Sequence, residues 1–350
     1  MRARAQPPGR TPTGRAGPLG QTGAVTVVLV GPTAVGKSAL AVALARRYRD
    51  AGRPAEVVNA DSMLVYRGMD IGTAKPTAQE RAGVPHHLLD VLDVTQTATV
   101  AEFQALARAA IADCRSRGVV PVVVGGSALY VRAVVDDFVF PGTDAAVRGR
   151  LEAELAVVGP AALHARLAAV DPASAASIGP ANGRRLVRAL EVVELTGAPY
   201  TSSLPAHRYA LPGVVQIGLR VDRPTMDARI AQRVDAMWAA GFVDEVRALA
   251  ARSPGLRDGV TASRALGYRQ LLAHLDGEVT EEEARAQTVQ GTRRFARRQG
   301  GWFPRDPRIT WLDWDRPDLV DAALAVAGPD GEGADRPPGG AGEAAPALGD

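Results

Sequence analysis

The sequence predicts an α/β fold built on a doubly wound parallel sheet. Three short runs rich in β-branched residues, Val25–Val30, Glu56–Asn59 and Val119–Val124, alternate with segments of helical spacing. Strands that alternate with helices form parallel sheets that are covered on both faces. Glycine or polar residues follow each run. Because such sheets bind ligands at the carboxyl ends of their strands, these three segments are expected to converge on one edge.

The helices are identified by the spacing of their apolar residues. From Lys37 to about Asp50, the side chains of Leu40, Leu44 and Tyr48 recur on one side of a helix. The remaining predicted elements, in chain order, are a helix over Ala101–Arg117, a strand over Val214–Val221, helices over 224–251 and 281–299, and a closing strand over Ile309–Asp313.

The pattern of the sequence changes in the middle of the chain. Over 136–208 it consists of short helical segments punctuated by proline and glycine, which predicts an inserted helical subdomain. The P-loop α/β catalytic domain is expected over 24–135 and 209–327. The basic tail 1–23 and the acidic tail 328–350 cannot bury enough apolar surface to offset the entropy of ordering, so we expect both to be disordered.

Composition excludes several classes of protein. Apolar residues make up 46% of the chain and charged residues 23%, and no run in the sequence predicts a membrane span. We expect a cytoplasmic protein, and as a separate expectation that composition does not supply, a monomer. The single cysteine, Cys114, excludes an internal disulfide and a cysteine-based zinc cluster. A net charge of +3 is modest for a nucleic-acid-binding protein, so the distribution of charge matters more than its total.

Lysine is rare in this chain. Only two of the 41 Lys and Arg residues are lysines, Lys37 and Lys75, and both fall in the segments that most resemble a phosphate site. Arginine presents a planar fork of donors, whereas lysine is a compact charge that reaches in among phosphate oxygens. Codon bias explains the excess of arginine but not the placement of the two lysines.

The segment Gly31–Ser38 satisfies the phosphate-loop pattern G-x-x-x-x-G-K-[ST]. It follows a predicted strand and opens a predicted helix, which is the context that the pattern requires. Successive amide N–H groups of such a loop surround phosphate oxygens. The predicted diphosphate-binding residues are Gly31, Pro32, Thr33, Ala34, Val35, Gly36, Lys37 and Ser38, with Lys37 neutralising charge and Ser38 placed to ligate Mg²⁺.

The loop does not by itself identify the reaction. A nucleotide hydrolase also needs an aspartate at the end of a buried strand, and Val119–Val124 ends instead in Gly125-Gly126-Ser127. The absence of that acid weakens the hydrolase interpretation. A small-molecule or nucleotide kinase stays open, and so does a reaction in which the bound diphosphate is the leaving group.

Two further side chains at this edge offer chemistry. Asp61 would serve as a general base or a metal ligand. Its spacing is equally consistent with a structural role, in which Asp61 caps the next turn. Ser127 offers a hydroxyl, or belongs to an ordinary turn. His86 and His87 are adjacent, and the side chains of adjacent residues rarely point at one ion. No further His or Cys has the spacing of a metal ligand, so a structural or capping role is expected.

Taken together, the motifs resemble those of the tRNA dimethylallyltransferases. The segment from Asp61 through Gly68-Met69-Asp70-Ile71-Gly72-Thr73-Ala74-Lys75-Pro76 is far more specific than the phosphate loop, which many families share. The matching segments appear in the family's order and cover about residues 24 to 315. They are Gly31–Ser38, Asn59–Pro76, His86–Asp90, Gly125–Tyr130, Arg188–Val192, Ala265–Gln270 and Thr292–Gln299.

The resemblance implies transfer of a dimethylallyl group from dimethylallyl diphosphate to N6 of an adenosine in the anticodon stem-loop of tRNA, assisted by Mg²⁺. The acceptor adenosine would lie 3′-adjacent to the anticodon in tRNAs that read UNN codons. The resemblance implies Asp61 as general base, Lys37 and Ser127 as further catalytic residues, and Arg233 as a clamp on the diphosphate. The residues that match tRNA contacts are Asp61, Ser62, Met63, Leu64, Ser127, Arg148, Arg184, Arg185, Leu186, Val187, Arg188, Arg264, Gly267, Tyr268, Arg269 and Gln270.

The chain departs from the family pattern in two places. The usual Gly-Gly-Thr reads Gly125-Gly126-Ser127, which keeps the hydroxyl. The zinc finger of eukaryotic relatives is absent, because one cysteine cannot build it.

A basic stripe near the C-terminal end supports RNA contact independently. Arg293, Arg294, Arg297 and Arg298 recur along one helical face, followed by Trp302-Phe303. Such a stripe suits phosphate contact and base stacking, and a solvated basic face is the alternative.

Two other functions stay open at this point. A P-loop kinase predicts tight ATP binding and phosphoryl transfer without RNA. A non-catalytic RNA-binding protein that uses the loop as a nucleotide sensor predicts that Asp61→Ala leaves function intact.

Overall fold

A six-stranded parallel sheet forms the centre of the molecule. The computed structural model describes residues 25–328 except 98, 139 and 201–206. All neighbouring strands run parallel, in the order β3-β2-β4-β1-β5-β6. The strands are β1 (Thr26–Val30), β2 (Ala55–Asn59), β3 (His86–His87), β4 (Val120–Gly125), β5 (Val214–Arg220) and β6 (Ile309–Asp313).

Helices cover both faces of this sheet. In β1, Val28 and Val30 belong to one apolar cluster, whereas Val27 and Leu29 belong to the cluster on the opposite face. A strand that is apolar on both sides needs cover on both sides. The helices are α1 (Lys37–Asp50), α2 (Ala78–Arg81), α3 (Val100–Ser116), α4 (Ala128–Val135), α5 (Ala145–Val170), α6 (Pro172–Ile178), α7 (Gly183–Thr196), α8 (Arg223–Ala239), α9 (Phe242–Ala250), α10 (Tyr268–Leu275), α11 (Glu281–Trp302) and α12 (Leu319–Ala327).

The predicted α/β fold with a parallel sheet is confirmed, with two differences in its elements. The single helix predicted over 224–251 is two helices, α8 and α9, because Gly241 adopts φ 93° between them. The two-residue strand β3 was not predicted, since two histidines carry no periodic signal.

Three helices between β4 and β5 pack around an apolar core of their own. The chain leaves the sheet domain and returns to it at one point, where Asp136 and Tyr209 form an antiparallel bridge. Asp136 is the first residue of the predicted insertion 136–208 and Tyr209 is the first residue after it; the division into domains stays a prediction. The buried residues of α5, α6 and α7 that form the core are Leu151, Leu163, Leu167, Ala175, Leu186, Val187, Ala189 and Leu190.

Buried charges fix the junction between these helices and the sheet domain. Asp136 is fully buried and accepts hydrogen bonds from Arg308 at 2.7 Å and from Arg132 at 3.0 Å. The Arg308 guanidinium also lies over the ring of Tyr209, 4.0 Å from its centroid. Removing one partner of such a cluster leaves a buried charge uncompensated, so the junction is well specified.

One helix of the described chain, α5, has the length and mean hydropathy of a membrane span, 26 residues and 1.3. Its backbone breaks at Gly159, which has φ 76°, and Pro160 follows. Neither half reaches the roughly 20 residues that a bilayer crossing needs. The prediction of a protein without a membrane span stays a prediction. The predicted tails 1–23 and 328–350 lie outside the described residues, apart from Gly328.

Candidate active site

The 31–38 loop connects β1 to α1 in a conformation that requires glycine. Gly36 has φ 104° at the start of α1, and a Cβ atom on Gly31 would lie 2.9 Å from a carbonyl oxygen of β5. Arg229 donates to the carbonyl oxygen of Ala34 at 2.8 Å and holds the loop from outside. The loop thus opens a helix, and a helix N-terminus with free N–H groups favours anions.

A pocket at the carboxyl edge of the sheet collects side chains that follow β1, β2 and β4. Its polar lining consists of Thr33, Lys37, Ser38, Asn59, Asp61, Thr73, His86, Arg233 and Gln299. Its apolar lining consists of Val57, Leu64, Ala74, Pro76, Leu89 and Val124, and Gly125 and Gly126 complete the wall. Cations, a carboxylate and an apolar wall therefore meet in one cavity.

Two cations lie close together in this pocket. Lys37 Nζ donates to the carbonyl oxygen of Pro32 at 2.7 Å, and Arg233 reaches the carbonyl oxygen of Thr73 at 3.5 Å. Removal from water and the neighbouring Arg233 lower the pKa of Lys37 to about 7, although Asp61 acts in the opposite direction. Desolvation also lowers the pKa of Arg233. Two desolvated cations that repel each other form a strong site for an anion.

Asp61 is positioned by Asn59, the last residue of β2. Asn59 Oδ1 accepts the Asp61 N–H, and Asn59 Nδ2 donates to the Asp61 carbonyl oxygen, both at 2.8 Å. Asp61 Oδ1 accepts the N–H of Met63 at 2.9 Å, as the capping interpretation expects. In the described part of the chain no hydrogen bond reaches the other oxygen, Oδ2. The carboxylate therefore caps a turn with one oxygen and borders the pocket.

Ser127 lies just outside the pocket, which Gly125 and Gly126 border. It stands at the N-terminus of α4, is partly buried, and makes no side-chain capping hydrogen bond. Of the other residues predicted to contact tRNA near Asp61, Ser62 and Met63 are partly buried and Leu64 lines the pocket.

The predicted tRNA-contacting segments divide into exposed and buried side chains. The exposed ones are Arg184, Arg185, Arg264 and Arg269. The buried ones are Leu186, Val187, Gly267, Tyr268 and Gln270. The side chains of the four non-glycine residues in this group pack inside the protein, so a contact with RNA here would be made by the backbone, and the contact stays a prediction. Leu186 and Val187 belong to the apolar core of α5, α6 and α7, so such buried side chains also have a structural role.

Tyr268 illustrates this structural role. It is fully buried, and its hydroxyl donates to Glu245 Oε1 at 2.6 Å. The carboxylate of Glu245 also accepts the backbone N–H groups of Asp70 at 2.9 Å, Ile71 at 2.7 Å and Gly72 at 3.2 Å. Tyr268 therefore supports the segment that leads to the pocket residue Thr73.

Arg148 and Arg188, two more predicted tRNA contacts, meet at a buried carboxylate. Glu191 is fully buried and accepts from Arg148 at 2.6 Å and from Arg188 at 2.8 Å. Burial alone would raise the pKa of Glu191, but these hydrogen bonds outweigh it and the pKa is lowered. Both arginines stay partly exposed while they join α5 to α7.

Lys75 does not belong to the phosphate site, contrary to the expectation from its position. It is buried, and its Nζ donates to Asp70 at 2.6 Å, to Asp90 at 2.5 Å and to the carbonyl oxygen of Tyr66 at 2.7 Å. All three donors of the ammonium group are used by the protein. Lys75 therefore fixes the 70–75 segment.

The adjacent histidines point to different partners. His86 Nδ1 lies 2.8 Å from the carbonyl oxygen of Val84, and the ring borders the pocket. His87 Nε2 lies 2.6 Å from Glu56 and 3.6 Å from the thiol of Cys114. This arrangement agrees with a structural role for His87.

The cluster of Glu56, His87 and Cys114 has the residue types of a metal site, and its side chains also contact one another and Arg117. The three ligand atoms lie within 4.8 Å of one another. Arg117, however, donates to both carboxylate oxygens of Glu56, at 2.9 and 2.7 Å, and lowers the pKa of Glu56 to about 2. Burial raises the pKa of the Cys114 thiol to about 12. Contacts within the protein therefore account for all three side chains of this cluster.

Sequence reasoning did not select several residues that the fold brings to the pocket. Asn59 ends a strand beside Asp61, a position that signals the sheet edge. Thr73 and Gln299 lie within motifs of the family resemblance but come from distant segments. Glu245 gave no signal, because its role depends on the tertiary contact between α9 and the 70–72 backbone.

Comparison with known proteins places the chain in a family. The sequence profile described as IPP transferase matches residues 64–306. The chain belongs to this family of IPP transferases. It is 64% identical over 300 residues to the tRNA dimethylallyltransferase of Thermobifida fusca, which covers 86% of this chain and 93% of the relative. The predicted family is confirmed, and with it a prenyl-transferring enzyme rather than a kinase or a non-catalytic RNA-binding protein.

Solved structures agree. A full-length tRNA isopentenylpyrophosphate transferase from Bacillus halodurans superposes with a TM-score of 0.64 at 41% identity, over 89% of this chain and 98% of the other. A eukaryotic dimethylallyltransferase acting on tRNA superposes with a TM-score of 0.71 at 25% identity, over 86% of this chain and 77% of the other.

Proposed function

We propose that this chain transfers the dimethylallyl group of dimethylallyl diphosphate to N6 of the adenosine 3′-adjacent to the anticodon, in tRNAs that read UNN codons. The observation that carries the proposal is the pocket in which Lys37, Arg233 and Asp61 meet beside an apolar wall. The names of the relatives support it. We also propose that the enzyme acts in the cytoplasm as a monomer, with 136–208 as an inserted subdomain on the tRNA side.

The charged diphosphate and the apolar dimethylallyl chain of the donor each match one part of the pocket. In this proposal Gly31–Ser38 acts as a P-loop that binds the diphosphate through backbone N–H groups, with Lys37 and Arg233 on either side. The dimethylallyl chain lies against Val57 and the rest of the apolar lining. The cations stabilise the charge that collects on the diphosphate as the C1–O bond breaks.

Asp61 activates the acceptor. The lone pair of the adenine amine is delocalised into the ring, so N6 is a weak nucleophile. As its lone pair forms the bond to C1, the pair of the C1–O bond leaves with the diphosphate, and Asp61 takes the N6 proton. To reach Asp61, the adenine must be extruded from the anticodon loop, as enzymes that modify bases generally require.

The residues of the pocket also fit Mg²⁺. Ser38 Oγ and the Asp61 carboxylate line the same cavity, and Mg²⁺ prefers a few oxygen ligands from protein with the rest from phosphate and water. When bound, the ion would neutralise charge on the departing diphosphate. Ser38 is the residue that we propose to hold it.

The exposed arginines would receive the tRNA backbone. Arg184 and Arg185 on α7 and Arg264 and Arg269 before and on α10 are exposed. Arginine at such positions contacts phosphate without reading sequence. Ser127, at the mouth of the pocket, is proposed to orient the incoming base.

A transfer assay tests the proposal. The purified protein is incubated with Mg²⁺, dimethylallyl diphosphate and an unmodified tRNA that reads a UNN codon, and the nucleosides are analysed by mass. We expect one dimethylallyl group on the adenosine beside the anticodon. Asp61→Asn is expected to reduce kcat at least about 100-fold while tRNA binding is kept.

The matched control is Asp315→Asn, the same change at an exposed position without a side-chain hydrogen bond among the described residues. It should leave kcat within twofold of the unchanged protein. Absence of product, together with tight ATP binding and phosphorylation of a small molecule, would overturn the proposal.

A further inference from the structure

The amide of Gln299 lies between the loops that follow β1 and β4. Its residue is 6% exposed and borders the pocket with Lys37 and Arg233. Gln299 lies on α11 and is separated by 266 residues along the chain from Thr33, the loop residue that it contacts. Helix α11 therefore contributes to the wall of the proposed diphosphate site.

The orientation of this amide follows from its partner. The backbone N–H of Thr33 donates to Gln299 Oε1 at 2.9 Å. Because an N–H group needs an acceptor, the oxygen of the amide must face Thr33, and this decides which end is nitrogen. Nε2 then faces Gly126, where an added Cβ atom would lie 2.6 Å from it. Gly126 leaves room for the amide.

The NH₂ group of Gln299 lacks an acceptor within the described ranges. Its two N–H donors lie in a cavity whose neighbouring charged groups are the cations Lys37 and Arg233 and the carboxylate of Asp61. Because the residue lines the pocket and no protein group among the described residues accepts from this NH₂, both N–H donors are available to a ligand that supplies an acceptor. Between two cations, the ligand best suited to supply one is an anion with several oxygens.

We infer that Gln299 binds the diphosphate of the donor through a hydrogen bond from Nε2, as a third binding side chain beside Lys37 and Arg233. The inference rests on the proposed function. The N–H group of Thr33 holds the amide in place through Oε1, so the NH₂ group of Gln299 is oriented before the ligand arrives. Charge on the diphosphate increases as the C1–O bond breaks, so this hydrogen bond should strengthen in the transition state and affect kcat as well as donor affinity.

Two substitutions separate this role from anchoring of the loop. Gln299→Glu keeps an oxygen that accepts the Thr33 N–H but replaces the donor by a second oxygen. Gln299→Met removes both interactions at similar volume. Binding of Mg²⁺-pyrophosphate is measured by calorimetry, which needs neither tRNA nor turnover. We expect Gln299→Met to weaken binding about 10-fold and Gln299→Glu at least about 50-fold.

Gln287→Glu is the matched control, since Gln287 is exposed on the same helix. It should bind pyrophosphate within twofold of the unchanged protein. If Gln299→Glu also binds within twofold while Gln299→Met is weakened, Gln299 only anchors the loop and the inference is overturned. An unchanged protein that binds pyrophosphate through Gln299 but makes no prenylated tRNA would overturn the proposed function alone. An unchanged protein that fails to bind pyrophosphate would overturn both.

Discussion

At the scale of single residues, the low pKa of Lys37 predicts proton uptake on ligand binding. Desolvation first and Arg233 second lower it to about 7, so at pH 8.5 the free protein holds Lys37 mostly neutral. A bound diphosphate adds negative charge beside the amine and raises its pKa again. Binding of a diphosphate at pH 8.5 should therefore be accompanied by the uptake of at most about one proton from solution.

The measurement is calorimetric titration with pyrophosphate in buffers of different ionisation enthalpy. Pyrophosphate itself titrates, so the quantity compared is the difference from Lys37→Arg, whose guanidinium stays protonated. The unchanged protein should take up more protons than this variant at pH 8.5, and the difference should vanish below about pH 6. Equal proton counts at pH 8.5 would mean that Lys37 is already charged in the free protein.

The two lysines mark what sequence could and could not predict at this scale. Lys37 lines the pocket, and its position in Gly31–Ser38 could be read from the sequence because local backbone geometry sets the spacing of the loop. Lys75 also lies in a segment that matches the family, yet its ammonium group binds Asp70 and Asp90. The direction of a long side chain depends on carboxylates brought near by folding, which local pattern does not encode.

At the scale of elements, Glu245 on α9 should couple the 70–72 backbone to α10. Its carboxylate accepts three backbone N–H groups and the hydroxyl of Tyr268. Glu245→Ala is expected to lower the free energy of unfolding by about 2–4 kcal/mol, and Tyr268→Phe by about 1 kcal/mol. The double variant should lose less than the sum of the two, by about 0.5–1.5 kcal/mol, because both remove the same hydrogen bond.

Urea unfolding of the four proteins gives this coupling energy. Glu278→Ala is the control, since its side chain is exposed and makes no hydrogen bond among the described residues. A coupling energy near zero would mean that Glu245 and Tyr268 stabilise the fold independently. The donor KM should rise in Glu245→Ala as well, because Thr73 and Ala74 in the pocket follow directly on the supported backbone.

The elements themselves were largely predictable, because strands that are buried on both faces and helices with apolar spacing leave local signals. What escaped prediction depends on contacts between distant segments. Gln299 reaches Thr33 from α11, and Glu245 reaches Asp70 from α9. Burial of Leu186 and Val187 is of the same kind, since only the packing of α5 against α7 makes that face internal.

At the scale of the whole molecule, the modest net charge of +3 conceals an uneven surface. On α11, Arg294, Arg297 and Arg298 are exposed, and Trp302 near its end is 60% exposed. This helix also carries Gln299 into the pocket, so the same element would join the tRNA surface to the donor site. An arginine that neutralises a phosphate releases a counterion, which makes binding dependent on salt.

The dependence of tRNA affinity on salt tests this basic face. Replacing Arg294, Arg297 and Arg298 together by Gln should reduce the slope of log K against log salt by about 2, since each phosphate contact contributes about 0.7–0.9. Fluorescence anisotropy of an anticodon stem-loop between about 50 and 300 mM KCl measures it, and pyrophosphate affinity should stay unchanged. Arg46→Gln, exposed near the far end of α1, serves as the control. A slope unaffected by the triple substitution would show that tRNA binds through α7 and the 264–269 segment alone, with the α11 arginines solvated.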